Sequence, residues 1–351
     1  MKKFVYITII IGVLFTINGC GHKVYNSKVL ESKEIEIGVV ETTASEYKSI
    51  IHWYDGDLNK VSEQKLSYAM LGSAFHNPVY YDNEIYMIPQ GLGNKKDSKK
   101  VISFNKKDLS IKEFSFNNIA LNDVAVSGDY IYTINTLNGD THICRLNKTN
   151  NTVKELIIEK EYISGFTAVK GKIYAFSSNL STSLPKFYLY IYDENLELLD
   201  KKDITQYGTS QYKFMNDDDY LYAGVMMTKE EKPSSIILKI SLDTNEIETI
   251  DTNQEVPNDI LQYKNKIIVT NHDLVINQGT KMTILDKNNE DSEVIDLNNK
   301  TEFAGIIGNM LVITNQEKVS LYDIEKDFKL IKETNIEKDD DCYISSIILL
   351  K

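Results

Sequence analysis

Asn83-Glu84-Ile85-Tyr86, Asp129-Tyr130-Ile131-Tyr132, Gly171-Lys172-Ile173-Tyr174 and Asp219-Tyr220-Leu221-Tyr222 are four copies of one phrase: a turn residue, a spacer, then an apolar strand carrying tyrosine. Weaker copies follow at Asn265-Lys266-Ile267-Ile268 and Asn309-Met310-Leu311-Val312. Counted by the apolar residue they stand at 85, 131, 173, 221, 267 and 311, in steps of 46, 42, 48, 46 and 44. A step of 50 back from 85 reaches Ile35, within Glu34-Ile35-Glu36-Ile37, and makes a seventh copy. A period of this length marks a chain built from one repeated supersecondary unit.

A second phrase is locked in phase with the first: an apolar strand, an Asp or Asn turn, then another strand. It occurs as Ile143-Cys144-Arg145-Leu146-Asn147, Leu189-Tyr190-Ile191-Tyr192-Asp193 and Leu321-Tyr322-Asp323, and first as His52-Trp53-Tyr54-Asp55. Asp and Asn suit such turns because they tolerate left-handed backbone or bond to it locally. Each unit therefore holds four short strands with period-two alternation and almost no helical pattern. Four strands per roughly 45 residues is the blade of a β-propeller. A pair of two-sheet sandwiches is the rival, and sandwiches lack so regular a repeat. The expectation is an all-β fold, a β-propeller of seven four-stranded blades. In the second blade the strands are placed near 78–82, 84–89, 100–104 and 109–115. The five prolines fall at strand ends or in loops, where a missing amide costs little. The segment 343–350 stands where an innermost strand should begin another unit, and the unit 34–66 lacks one. Pairing of the N- and C-terminal strands is thus expected to close the ring and hide two sheet edges.

Ahead of the repeat, Lys2 and Lys3 precede an almost wholly apolar run from Phe4 to Ile17, and Ile17-Asn18-Gly19 leads into Cys20. The run of about 14 residues is short of the roughly 20 needed to cross a bilayer as a helix. The layout of charged start, apolar stretch and small residue before a cleavage point resembles a bacterial lipoprotein signal. That resemblance implies that Cys20 becomes the N-terminus and carries a diacylglycerol thioether, usually with further N-acylation. Two or more acyl chains suffice for stable anchoring where one holds only marginally. The organisation expected is a signal peptide at 1–19, a lipidated tether at 20–33 and a propeller at 34–351. The thirteen residues from Gly21 to Lys33 reach at most about 45 Å, which keeps the propeller near the membrane on its extracytoplasmic face.

The formal charge is −12, and −14 once Lys2 and Lys3 leave with the signal. Arg145 is the single arginine. Nucleic-acid binding needs a basic face that displaces counterions, so this balance excludes it. Repulsion from anionic headgroups also means that lipid, not a polybasic patch, must hold the protein to its membrane. Cys144 and Cys342 remain beside Cys20; nothing in their spacing supports a disulfide or a metal motif, and buried thiols within strands are expected. The histidines likewise show no metal spacing. The triplet Asp217-Asp218-Asp219 sits on a repeat-phased hairpin and reads as a solvated turn.

From Glu34 to Lys351 the architecture resembles the bacterial seven-bladed propellers of the quinoprotein-like and WD40-like type. Trp53 is the sole tryptophan, so neither the Gly-His…Trp-Asp signature nor the quinoprotein tryptophan docking pattern is present. This argues against a bound quinone, and no cofactor is expected. A lipid-anchored propeller that assists outer-membrane barrel assembly by binding a partner is similar in plan.

Propeller ligands usually meet the face formed by loops leading into the innermost strands and by loops between second and third strands. On that face fall Phe75-His76-Asn77, Leu121-Asn122-Asp123, Gln211-Tyr212 and Pro257-Asn258-Asp259. His76, Asn77, Asn122, Asp123, Tyr212, Asn258 and Asp259 are the candidate ligand-binding residues. The competing reading has the Asn and Asp side chains capping strands by bonding to backbone amides. Two functions follow. One is a non-enzymatic module that binds an envelope protein or glycan. The other is a glycan hydrolase or lyase, with Asp123, Asp259 and His76 as acid/base groups.

Overall fold

The computed structural model describes residues 35–90, 99–179, 181, 186–287 and 291–350. The proposed signal, Cys20 and the tether lie outside the described residues. Seven four-stranded antiparallel sheets make a ring, a seven-bladed β-propeller. Blade one is β28 (Tyr343–Leu349), β1 (Ile37–Thr42), β2 (Ser49–Tyr54) and β3 (Lys60–Leu66), from the channel outward. Blade two is β4 (Val79–Tyr81), β5 (Glu84–Met87), β6 (Lys100–Asn105) and β7 (Ile111–Ser115), within about two residues of the expected spans. Blade three is β8 (Asp123–Ser127), β9 (Tyr130–Leu137), β10 (Asp140–Asn147) and β11 (Val153–Ile158). Blade four is β12 (Glu161–Val169), β13 (Lys172–Asn179), β14 (Lys186–Asp193) and β15 (Leu198–Asp203). Blade five is β16 (Phe214–Asn216), β17 (Tyr220–Gly224), β18 (Ile236–Ser241) and β19 (Ile247–Asp251). Blade six is β20 (Pro257–Tyr263), β21 (Lys266–Asp273), β22 (Gln278–Asp286) and β23 (Ser292–Asp296). Blade seven is β24 (Phe303–Ile307), β25 (Met310–Thr314), β26 (Lys318–Asp323) and β27 (Lys329–Asn335).

The tyrosine phrase lies on the second strands, and its rings are core: Tyr86, Tyr132, Tyr174 and Tyr222 are each at most 2% exposed. The Asp/Asn phrase ends the third strands, where one side-chain oxygen accepts the amide two residues on. Asp55 takes Asp57 N at 2.9 Å, Asn147 takes Thr149 N at 2.8 Å and Asp193 takes Asn195 N at 2.8 Å. Left-handed residues follow in these turns, among them Leu58, Leu109 and Leu196, at φ 54°, 55° and 62°. Left-handed backbone costs an L-residue roughly 1–2 kcal/mol. Each of these leucines is at most 4% exposed, and burying a leucine returns about 1.5–3 kcal/mol.

Two expectations about the repeat need correction. The first-blade copy is phased on Ile37, not Ile35. Ile37 pairs with Tyr54 just before the Asp55 turn, as Ile85 pairs with Phe104 before Asn105. The sequence pattern does not separate the two phases, because side chains alternate with period two and both isoleucines fall on the same side. Strict alternation also fails in the middle of the blades: β1 and β2 are buried at every position, whereas outer strands such as β27 alternate. The cause is the location of the core. Apolar side chains form seven clusters, one at each seam between neighbouring blades. A sheet packed on both faces needs apolar residues on both.

Ring closure is as expected. β28 pairs with β1 from Ile37↔Leu349 to Thr42↔Tyr343. The seam between blades seven and one draws Ile37 and Val39 from one end of the chain and Ile344 and Ile347 from the other. Cys144 lies inside β10, but Cys342 stands one residue ahead of β28 instead of within a strand; both are buried free thiols. Asp217 is not a simple solvated turn either. Its side chain accepts Asp219 N and Tyr220 N and pairs with Lys287 of blade six.

Trp53 is fully buried opposite Gly38, whose added Cβ would meet Trp53 Cζ3 at 2.5 Å. The glycine is there for space. Gly38→Ala should cost about 1–3 kcal/mol by overpacking, read as a lower urea midpoint with unchanged slope; an unchanged midpoint would show that the indole moves freely.

Candidate functional site at the channel mouth

Loops leading into the innermost strands of blades two, three, five and six meet over the channel. The hinge of the arrangement is His76-Asn77, ahead of β4. His76 Nδ1 stands 3.2 Å from Asp123 Oδ2, close enough to pair but outside hydrogen-bond alignment. Asn77 Nδ2 donates to Asp259 Oδ1 at 2.8 Å. Two adjacent residues of blade two thus touch carboxylates on blades three and six. The Tyr212 ring, ahead of β16, packs 5.1 Å from Phe75 and 5.9 Å, edge-on, from His76. Beneath them is a cavity of about 280 Å³ walled by His76, Asn77, Asp123, Phe166, Tyr212 and Lys213 among others.

Both carboxylates also brace the ring. Asp123 Oδ1 accepts Val124 N at 2.8 Å, and its Oδ2 accepts Phe166 N of blade four at 3.4 Å. Asp259, fully buried, accepts Ala304 N of blade seven at 3.0 Å. Each Asp therefore ties its own innermost strand to the innermost strand of the next blade, which is the capping role sequence reading set against a ligand role. Asn258 acts similarly: its Nδ2 donates to Glu302 O at 2.9 Å. Asn122 engages through its main chain, donating to Ile134 O and accepting from Gln90 Nε2, and it does not line the 280 Å³ cavity.

Two residues escaped the sequence reading. Lys213 follows Tyr212 and places Nζ 3.0 Å from Asp259 Oδ2, with the two side chains 2% and 0% exposed. Buried lysines are rare unless paired, and here the pair is complete. The signal was a lysine in a segment leading to an innermost strand, which charge reasoning assigns to solvent. Glu302, ahead of β24, accepts Gln316 Nε2 at 2.6 Å through Oε1, while its buried Oε2 has no hydrogen-bond partner among the described residues. Burial raises its carboxyl above the ordinary range, against the pull of the Gln316 hydrogen bond and of Lys213. On β21, His272 is held below the usual imidazole range, chiefly by burial.

No protein-family profile and no curated protein matches the chain. Among solved structures it is similar to a quinonprotein alcohol dehydrogenase-like protein from Bacteroides thetaiotaomicron, with 12% identity over 91% of this chain and 79% of that one, at a TM-score of 0.58. It is similar also to the dihydro-heme d1 dehydrogenase NirN in complex with DHE, with 11% identity, 89% and 75% coverage and a TM-score of 0.53. Apo AztD from Citrobacter koseri gives 8% identity, 90% and 97% coverage and a TM-score of 0.52. The likeness is one of fold. At these identities a shared ring of blades carries no ligand, cofactor or reaction from one protein to the next.

Proposed function

We propose that the protein is a lipid-anchored propeller of the cell envelope that binds a protein or glycan partner on its channel-mouth face and does not turn it over. The observation that carries this reading is the state of the carboxylates. Asp259 is engaged by Asn77, Lys213 and Ala304 N, and Asp123 by Val124 N, Phe166 N and the neighbouring His76. A general acid or base must reach the reacting atom and exchange a proton with it; these groups are committed to holding blades together. What the face offers a visitor is the Phe75–Tyr212–His76 aromatic cluster beside the exposed residue Asn77, over a concave floor. Aromatic surface beside a few polar groups is the usual make-up of a binding hot spot. The lipid on Cys20 supplies the location.

Crosslinking and co-purification from native membranes tests this, with wild type beside Tyr212→Ala. The expected result is one specific partner, recovered by wild type and weakened by about 2 kcal/mol or more in the variant, the range of an aromatic anchor, at an unchanged melting temperature. Equal recovery by both forms would move the surface elsewhere, and glycan cleavage by the purified protein would replace the reading with the enzymatic one. Cys20→Ala should send the protein to the soluble fraction.

A further inference from the structure

The seam where the chain ends meet carries a set of donor groups that the channel mouth does not use. Because β28 runs against β1, Glu41 lies opposite Ile344, and Cys342, just ahead of β28, comes up against the Glu41 carboxylate. One oxygen of Glu41, one of Asp339 and Cys342 Sγ all lie within 4.8 Å of one another. From β2, His52 Nε2 pairs with Glu41 Oε2 at 2.6 Å and stands outside the group of three. Glu41, His52 and Cys342 are 1%, 2% and 5% exposed, and Asp339 is open to solvent. The other ring nitrogen of His52, Nδ1, is buried with no hydrogen-bond partner among the described residues and faces Glu63 Oε1 at 3.4 Å. A cavity of about 500 Å³ bordered by Glu41, Lys48, His52, Glu63 and Asp339 leads in from the surface.

We propose that Glu41, Asp339 and Cys342 form a binding site for a zinc-class divalent cation that staples the first strand of the chain to its last, with His52 holding the Glu41 carboxylate. One thiolate and two carboxylates are three donors of the types Zn²⁺ accepts, and water takes the fourth tetrahedral position. Mg²⁺ and Ca²⁺ require oxygen-only shells of six or more, which a thiol does not supply. A ligating carboxylate is itself held by a hydrogen bond, and His52 Nε2, 2.6 Å from Glu41 Oε2, supplies it. Glu41 Oε1 accepts Asp339 N at 3.1 Å, and Lys48 pairs with Asp339. Binding therefore displaces the Lys48 ammonium from Asp339 and releases the Cys342 thiol proton to solvent. Burial, together with Glu41, pushes that thiol up to about 12, but a coordinated thiol is deprotonated outright by the ion's own charge. Linear spacing could not reveal the set, since its members come from the two ends of the chain.

The test uses the full-length protein after chelation, with Zn²⁺ and Co²⁺ as probes. Wild type should take up one equivalent of Zn²⁺, melt at a higher temperature with it, and show a thiolate-to-cobalt charge-transfer band with Co²⁺. Cys342→Ser should lose the band. Asp339→Asn, at an exposed position that does not threaten folding, should weaken Zn²⁺ binding about tenfold or more, the loss that even an outer-shell partner causes. His142→Ala, on a histidine paired with Glu155 in blade three, should bind as wild type does. Substoichiometric uptake, a band that persists in Cys342→Ser, or equal affinity in Asp339→Asn would each overturn the proposal, whichever partner the channel mouth binds.

Discussion

A chain ending at Cys342 will not unfold cooperatively. Deleting 343–351 removes the innermost strand of blade one, and with it the whole pairing of β1 on its channel side. Ile344, Ile347 and Ile348, at 1%, 6% and 0% exposed, leave with it. At about 1.5–3 kcal/mol for each buried aliphatic side chain, that loss alone rivals the 5–15 kcal/mol by which a typical domain is stable. Two further ties break: Ser345 Oγ to Leu71 O at 2.5 Å, and Leu349 N to the Tyr80 hydroxyl at 2.8 Å, both joining blade one to blade two. The stump would present β1 as an open apolar edge, a template for aggregation. Trp53, fully buried in the seam between blades one and two, gives the readout. Urea titration followed by its fluorescence should show a sloping drift in place of a sigmoid. A truncated protein that melts like the full chain would mean that the ring is stable open.

The second large effect is expected at Lys213. Lys213→Met leaves the Asp259 carboxylate buried with its cation gone, and breaking one side of a buried pair typically costs about 3–5 kcal/mol. Asn77, Asn258 and Ala304 N remain as donors to Asp259, which places the loss toward the lower end. Asp259→Asn should destabilise too, by stranding the ammonium. The double variant should recover much of either loss, because a neutral pair of similar volume replaces two desolvated charges. Equilibrium urea unfolding of the four proteins gives the coupling energy directly. Additive losses in the double variant would show that the ion pair is not the reason these residues stand together.

Between these two sites lies the boundary of what could be read from the chain. The blade count, the turn positions and the buried tyrosines follow from local chemistry: Asp55, Asn147 and Asp193 each bond an amide two residues away, and tyrosines at one repeat phase must share one environment. The register of blade one was misjudged by two residues because period-two alternation is blind to such a slip. Alternation itself misled in β1 and β2, since burial on both faces is a property of the seams and not of a strand. At the channel mouth, repeat phase correctly brought His76, Asn77, Asp123, Tyr212 and Asp259 to one face. It did not show that Asp123 and Asp259 brace neighbouring blades, nor that Lys213 would be buried among them.

Local chemistry along the chain sets the unit and its number: four strands, a fixed set of turns, seven copies, and terminal strands that pair. Those properties depend on residues a few positions apart, whose interactions are the same wherever the unit sits. Which side chains from different units touch is a property of the closed ring. Asn77 reaches Asp259 across 182 residues, Lys213 reaches it across 46, and Glu41 receives the Asp339 amide across 298. Contacts of that span arise from the curvature and closure of the ring, which no local pattern encodes.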